Sequence, residues 1–321
     1  MSEHVISAMR RLLQGISSMI WYLIRKGTII LVSLLFVATL TFVLMHAVPG
    51  DPFAQEQVIP QEVLKALHQH YGLDKPLFEQ YLQYLQGFFR FDLGPSLRYQ
   101  GRSVNEIIAE GFPVSFLLGL EALVLSIAGG MALGAFAALY HLRWQDKLCL
   151  FIGILGISIP SFLLATFLQY LLAMKLDLFP VARWGSFSQS ILPAVTLSAF
   201  PLAFIARLTR ANMVDVLQQD YILTARSKGI NDFQLIWRHV IRNALIPILA
   251  YIGPLIAAVF TGSFIIEKIF GIPGLGQWLV ASIFNRDYPL IMGLTLFYSA
   301  ILMVSVFIID CVCCLIDPRM K

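Results

Sequence analysis

The sequence predicts an all-α protein: a polytopic transmembrane bundle of six helical spans with both termini in the cytoplasm. Three observations carry that expectation. Of 321 residues, 58% are hydrophobic and only 13% charged, with a mean hydropathy of +0.76; a soluble domain is about 45–50% apolar and about 25% charged. Apolar runs approach or exceed the roughly 20 residues a helix needs to cross the hydrocarbon core. Alternating segments of about ten residues, the mark of a transmembrane barrel, are absent from the sequence.

The spans read as 27–48, 113–140, 148–174, 191–206, 246–266 and 289–313. The fourth is only 16 residues and borrows length if Arg207–Thr209 snorkel. The first is too long for a signal peptide, and MHAVPG lacks a small-x-small cleavage site. With the amino terminus inside, segments 1–26, 141–147, 207–245 and 314–321 carry 14 Lys/Arg against 6 acids. Segments 49–112, 175–190 and 267–288 carry 9 against 11. The cationic excess marks the cytoplasmic side.

Ahead of the transmembrane domain 27–321, residues 1–26 form a cytoplasmic segment. In it Val5, Met9, Leu12, Ile16 and Ile20 stand at helical spacing, with Arg10 and Arg11 on another face. That suits a helix on the inner leaflet; Gly15 weakens it and leaves a disordered tail as the other reading. The external segment 49–112 holds two short helices broken at Gly72 and Pro76. Its aromatic content suits a cap on the bundle or a segment dipping into the interface. His68 and His70 diverge by about 200° on a helix, which argues against a metal pair.

In the third span GISIPSF (156–162) sets Pro160 where a helix hydrogen bond is lost, so a kink or broken helix beside a cavity is expected, with Ser158 or Ser161 serving the freed carbonyls. Glu121 and Asp310 are charges near span ends, where pairing or hydration is available. In FGIPGLG (270–276), Pro273 and Gly274 fit the centres of a type II turn. Cys149, Cys311, Cys313 and Cys314 lie at cytoplasmic span ends, without the His or second Cys pair of a zinc site. No phosphate-binding G-x-x-x-x-G-K-[ST] and no H-E-x-x-H occurs, so no catalytic, cofactor or metal residue is assigned.

Segment 207–245 is the polar exception. Residues 212–228 read as a helix stopped at Gly229 in a left-handed C′ position, with Ile230 as the apolar residue after it. Asn231 caps a second helix with Gln234 as capping-box partner; there Phe233, Ile236, Val240, Ile241 and Ala244 make an apolar stripe, and Arg238 and Arg242 face elsewhere. A lipid-held basic loop needs none of these devices, whereas an element that docks a cytoplasmic partner uses all of them.

TARSKG, followed by Ile246-Pro247, resembles the coupling loop of ABC transporter permeases, E-A-A-x-x-x-G. Ala225 and Gly229 match; Leu223 and Thr224 depart from the first two places. HAVPGDPF (46–53), YGLDKP (71–76), DLGPSL (92–97), DYILTARSKG (220–229), RHVIRNALIP (238–247), NRDYP (285–289) and DPR (317–319) extend the likeness over about 22–320. The chain is similar to the first of two permease subunits of oligopeptide/dipeptide importers of the bacterial inner membrane. That resemblance implies a second permease, two ATP-binding subunits and an extracytoplasmic solute-binding protein. It implies ATP bound by the partners alone and coupling through Tyr221, Thr224, Ala225, Arg226, Lys228 and Gly229. The same family serves nickel, glutathione and other small solutes. A secondary transporter, with inverted repeats and helices broken at mid-membrane, is the other class.

Overall fold

The computed structural model describes residues 2–48, 52–53 and 60–316, with the side chains of most of them from Trp21 on. The stripe at Val5–Ile20, the side chains of Phe233, Arg238, Arg242 and Cys314, and the DPR run lie outside the described residues, as does part of HAVPGDPF. Every regular element among the described residues is helical. Four helices are long and apolar enough to cross a membrane: Trp21–Ala47, Val104–Leu139, Phe187–Leu217 and Tyr288–Cys313. Two bent pairs raise the number to six if each pair is one span.

Helix α1 (Ser2–Ala47) is continuous through Gly15 into the first apolar run, so residues 2–26 are the leading part of one helix. Beyond it, α2 (Gln61–Tyr71) ends at Gly72 with φ +68, and α3 (Leu77–Phe89) starts after Pro76. Helix α4 (Val104–Leu139) begins nine residues earlier than its apolar run, because Ser103 and Glu106 close a capping box.

The stretch expected as one span over 148–174, with a kink or break at Pro160, is bent into a corner. Helix α5 (Trp144–Ser158) and α6 (Ser161–Leu168), which continues as a π-helical turn Gln169–Lys175, meet at 104°. Pro160 disfavours the helical region for Ile159, which is extended at φ −80°, ψ 119°, and the new helix starts from the proline. The 16-residue fourth span is corrected to a 31-residue helix, α7 (Phe187–Leu217). Beyond the apolar run Thr209 and Met213 are buried against the rest of the chain, and Arg210 is paired, as described below. One helix over 212–228 does not form: α7 stops at Leu217, and α8 (Asp220–Ser227) starts after an extended Gln219. Helix α9 (Asp232–Leu235) passes through a π turn (Ile236–Val240) into α10 (Ile241–Phe260). Helix α11 (Phe264–Phe270) bends 47° from α10 after Gly262, at φ +81. Helices α12 (Leu275–Asn285) and α13 (Tyr288–Ile316) complete the described residues.

The spine is α4. Gly111, Ser115, Gly119, Ala122, Ser126, Gly130, Gly134 and Ala138 fall three or four apart and are all buried. Without side chains in the way, neighbouring backbones come close, as small residues permit between apolar helices. A Cβ on Gly119 would lie 2.6 Å from the Val259 carbonyl oxygen of α10; one on Gly130 would lie 2.8 Å from that of Leu202 on α7.

Where the α4 stripe meets α11 and α12, Glu267 is fully buried. Ser115 Oγ donates to its Oε1 at 2.9 Å, and the Gln277 amide to its Oε2 at 3.2 Å, while the Leu275 amide donates to Ser115 Oγ at 2.8 Å. The type II turn expected at Pro273–Gly274 is therefore corrected. Gly274 is extended, at φ −95°, ψ 177°, and caps α12. Glycine is needed there because a Cβ would stand 2.5 Å from Glu267 Oε1 and from Ser115 Oγ. Gly274→Ala is expected to cost about 1–3 kcal/mol through overpacking, read as a lower melting temperature of the detergent-solubilised protein. An unchanged melting temperature would mean that the carboxylate can move aside.

Candidate functional site

The elbow is built by local chemistry. Gly229 sits at φ +76; its amide donates to the Arg226 carbonyl at 2.9 Å and the Ile230 amide to that of Ala225 at 3.4 Å. Those two bonds are a Schellman motif, which satisfies the last carbonyls of α8. Two residues on, the Gln234 amide donates to Asn231 Oδ1 at 2.8 Å, the N-cap bond of α9. Four residues separate the end of α8 from the start of α9, and the two bonds fix their angle.

Beneath the turn, Ile222, Ala225, Leu235, Val240 and Ala244 are buried against Ala138 of α4 and Met213 of α7, with Ile230 and Ile236 packed alongside. Ala225, 7% exposed, thus faces the chain's own core, and its smallness lets α8 lie close to α7 and α9. Tyr221, Thr224, Arg226, Lys228 and Gly229 are exposed, and Leu223 joins them at 56% exposure. Thr224 Oγ1 donates back to the Asp220 carbonyl at 3.1 Å.

The structure does not bring every singled-out residue to one place. Ala138, against the elbow, and Ser115, against Gly274, are 23 residues apart on α4, about 35 Å along a helix. Between those ends, Pro160 lines a cavity of about 450 Å³ with Gly156, Thr196, Phe200, Tyr251 and Ser263. Its walls come from both sides of the 104° corner and from α7 and α10, so the broken helix is one edge of a concave, mostly apolar surface. Asp310 is paired with Lys26 across α1 and α13 at 2.7 Å, and Glu121 is half-buried on α4.

One cluster escaped sequence reasoning. Asp146, in the first turn of α5, is 2% exposed. It receives Arg210 Nε on Oδ1 at 2.5 Å and an Arg210 terminal nitrogen on Oδ2 at 2.7 Å. The Leu142 amide adds a bond to Oδ2 at 2.9 Å, and His141 Nδ1 stands 3.4 Å from the same oxygen. This bidentate fork ties the α4–α5 turn to α7, ten residues before the elbow helix begins. Sixty-four residues separate the partners in sequence, and no local pattern pairs them. Arg210→Ala leaves the buried carboxylate without its guanidinium partner, with only the Leu142 amide and His141 beside it, at about 3–5 kcal/mol. Removing both partners (Asp146→Ala with Arg210→Ala) should be milder than Arg210→Ala alone. Melting curves of the three variants test this, and equal losses would mean that the pair is solvent-screened.

Residues 130–321 match the family described as binding-protein-dependent transport system inner membrane component, and residues 19–118 match the N-terminal region model of such membrane components. The chain is 47% identical over 300 residues to the dipeptide transport system permease protein DppB of Bacillus subtilis (strain 168), covering 94% of this chain and 97% of that protein. It is 37% identical over 306 residues to the oligopeptide transport system permease protein OppB of Salmonella typhimurium, covering 94% of this chain and 100% of that protein. A solved structure of the MetNI methionine ABC transporter in an inward-facing conformation superposes with a TM-score of 0.50 at 14% identity. It covers 67% of this chain and 96% of that one, a likeness of fold alone.

Proposed function

Since the chain belongs to the family of binding-protein-dependent transport system inner membrane components, we propose that it is a transmembrane permease subunit of an ABC transporter that imports dipeptides or oligopeptides. It crosses the bacterial inner membrane six times, each bent pair counting once, with both termini in the cytoplasm. A second, homologous permease completes the pathway. Two cytoplasmic ATP-binding subunits drive it, and an extracytoplasmic solute-binding protein delivers the peptide. The peptide class is carried over from relatives aligned along nearly their whole length.

The observation that carries the mechanism is the elbow's geometry. Its inner face is anchored to α4 and α7, and its outer face offers Tyr221, Leu223, Thr224, Arg226, Lys228 and Gly229 to an ATPase subunit. A surface displacement there reaches α7 directly, since α8 follows it after two residues. Arg210–Asp146 then carries the movement to α5 and the corner at Pro160, which edges the cavity. In this scheme closure of the ATPases on ATP pushes the elbow, and the concave wall between α5, α6, α7 and α10 changes shape. The chain holds and moves the pathway, and ATP chemistry belongs to its partners.

Gly229→Val forces φ near +76 onto a β-branched residue, at about 1–2 kcal/mol, while a Cβ there meets open space. The variant should reach the membrane at normal levels yet lose ATPase co-purification and peptide uptake, and Gly229→Asn should retain both. Normal uptake with normal ATPase binding in the valine variant would reduce the elbow to a lipid-held loop. Reconstituted without ATPase subunits, the chain should move no peptide on an ion gradient; gradient-driven uptake would transfer it to the secondary transporters.

A further inference from the structure

Helix α3 divides into three faces. At 100° per residue, Phe78, Leu82, Leu85 and Phe89 fall within about 60° of arc, and Phe78 (69%), Leu82 (41%) and Phe89 (57%) are exposed. Glu79, Gln83 and Gln86 make a separate, exposed polar face. The remaining face is packed: Tyr81 and Tyr84 lie on Phe42 of α1 with ring centroids 5.3 and 6.1 Å apart. Next to them, Gln80 Oε1 meets His46 Nε2 at 3.2 Å. A soluble cap would expose the polar face and bury the other two.

The depth of that packing identifies what covers the apolar face. Tyr81 Oη is bonded to Thr39 Oγ1 at 2.7 Å, eight residues before α1 ends at Ala47. Lys26, paired with Asp310, marks the charged boundary at the other end of the span. From Lys26 to Phe42 is 16 residues, about 24 Å of helix, against a hydrocarbon core of about 30 Å; tilt of α1 places Phe42 deeper still. Helix α3 therefore lies beside α1 below the far boundary of the core, and α1 itself exposes Leu40, Val43 and Leu44 along the same stretch. Such a helix, apolar on one arc and polar on the next, fits the seam between acyl chains and headgroups.

We propose that α3 is a lipid-embedded interfacial helix, with Phe78, Leu82 and Phe89 in the acyl chains of the far leaflet and Glu79, Gln83 and Gln86 among the headgroups. It rests on α1 crossing the membrane and is independent of the transport reading. The test places single cysteines at Phe78, Leu82, Phe89, Glu79 and Gln86 in the full chain with its transporter partners, in vesicles of phosphatidylethanolamine and phosphatidylglycerol. The unmutated chain, with its native cysteines, sets the background. Bimane at 78, 82 and 89 should be quenched by brominated acyl chains at least twofold more than at 79 and 86. An impermeant maleimide should react at 79 and 86 at least tenfold faster. Equal labelling at all five sites without quenching would return α3 to water. Slow labelling at 78, 82 and 89 without quenching would mean that a protein surface covers the face; either result overturns the proposal.

Discussion

The stripe of small residues along α4 is the constraint on which the rest depends. Between apolar helices in an apolar solvent, hydrophobic burial gives little preference for one neighbour over another, so close backbone packing decides the arrangement. From Gly111 to Ala138 the same face receives Leu275 of α12, Val259 of α10, Leu202 and Ile205 of α7, and finally the elbow core. One continuous helix therefore packs on α12, α10, α7 and the elbow core in turn. The α11–α12 corner and the elbow are indexed to a common axis.

On that frame, buried polar groups select register. Glu267 with Ser115, Asp146 with Arg210, and Asp287 with Ser96 each join elements far apart in the chain. Asp287 also accepts the Leu97 amide at 3.1 Å and that of Leu290 at 3.4 Å, so one carboxylate caps α13 and binds the strap before α4. Such pairs are weak evidence for net stability, since desolvation offsets much of their attraction. They do penalise every arrangement that leaves one partner alone, and a one-turn slip of α7 along α4 would part Arg210 from Asp146.

The elbow differs in kind. Its shape comes from a Schellman stop and an N-cap bond within residues 225–234, and its position comes from a small apolar core. The two local bonds set the angle between α8 and α9, and the buried core ties that angle to α4 and α7. Ala225 illustrates the division of labour. Its size suits contact with a partner or with its own chain equally well, and it is buried on the inner face of α8, against its own chain.

The helical class, the Gly72 and Gly229 stops, the Asn231 cap and the break at Pro160 were legible in the sequence, because each rests on backbone chemistry within a few residues. Hydropathy located the apolar runs for the same reason. The 104° corner in place of a kink, the full length of α7, and the extended Gly274 in place of a type II turn were decided only by tertiary structure. So were the burial of Ala225 and the Asp146–Arg210 fork. Proline 160 removes a hydrogen bond wherever it stands, but the direction of the chain beyond it is set by what α6 packs against. Arg210 stands past the apolar run, where α7 continues with Thr209 and Met213 buried and a carboxylate 64 residues away receiving the guanidinium. Gly274 is free to turn until Glu267 and Ser115 occupy the space its Cβ would need. Local chemistry fixes where a chain can stop or bend, and contacts between distant residues choose among the conformations that remain.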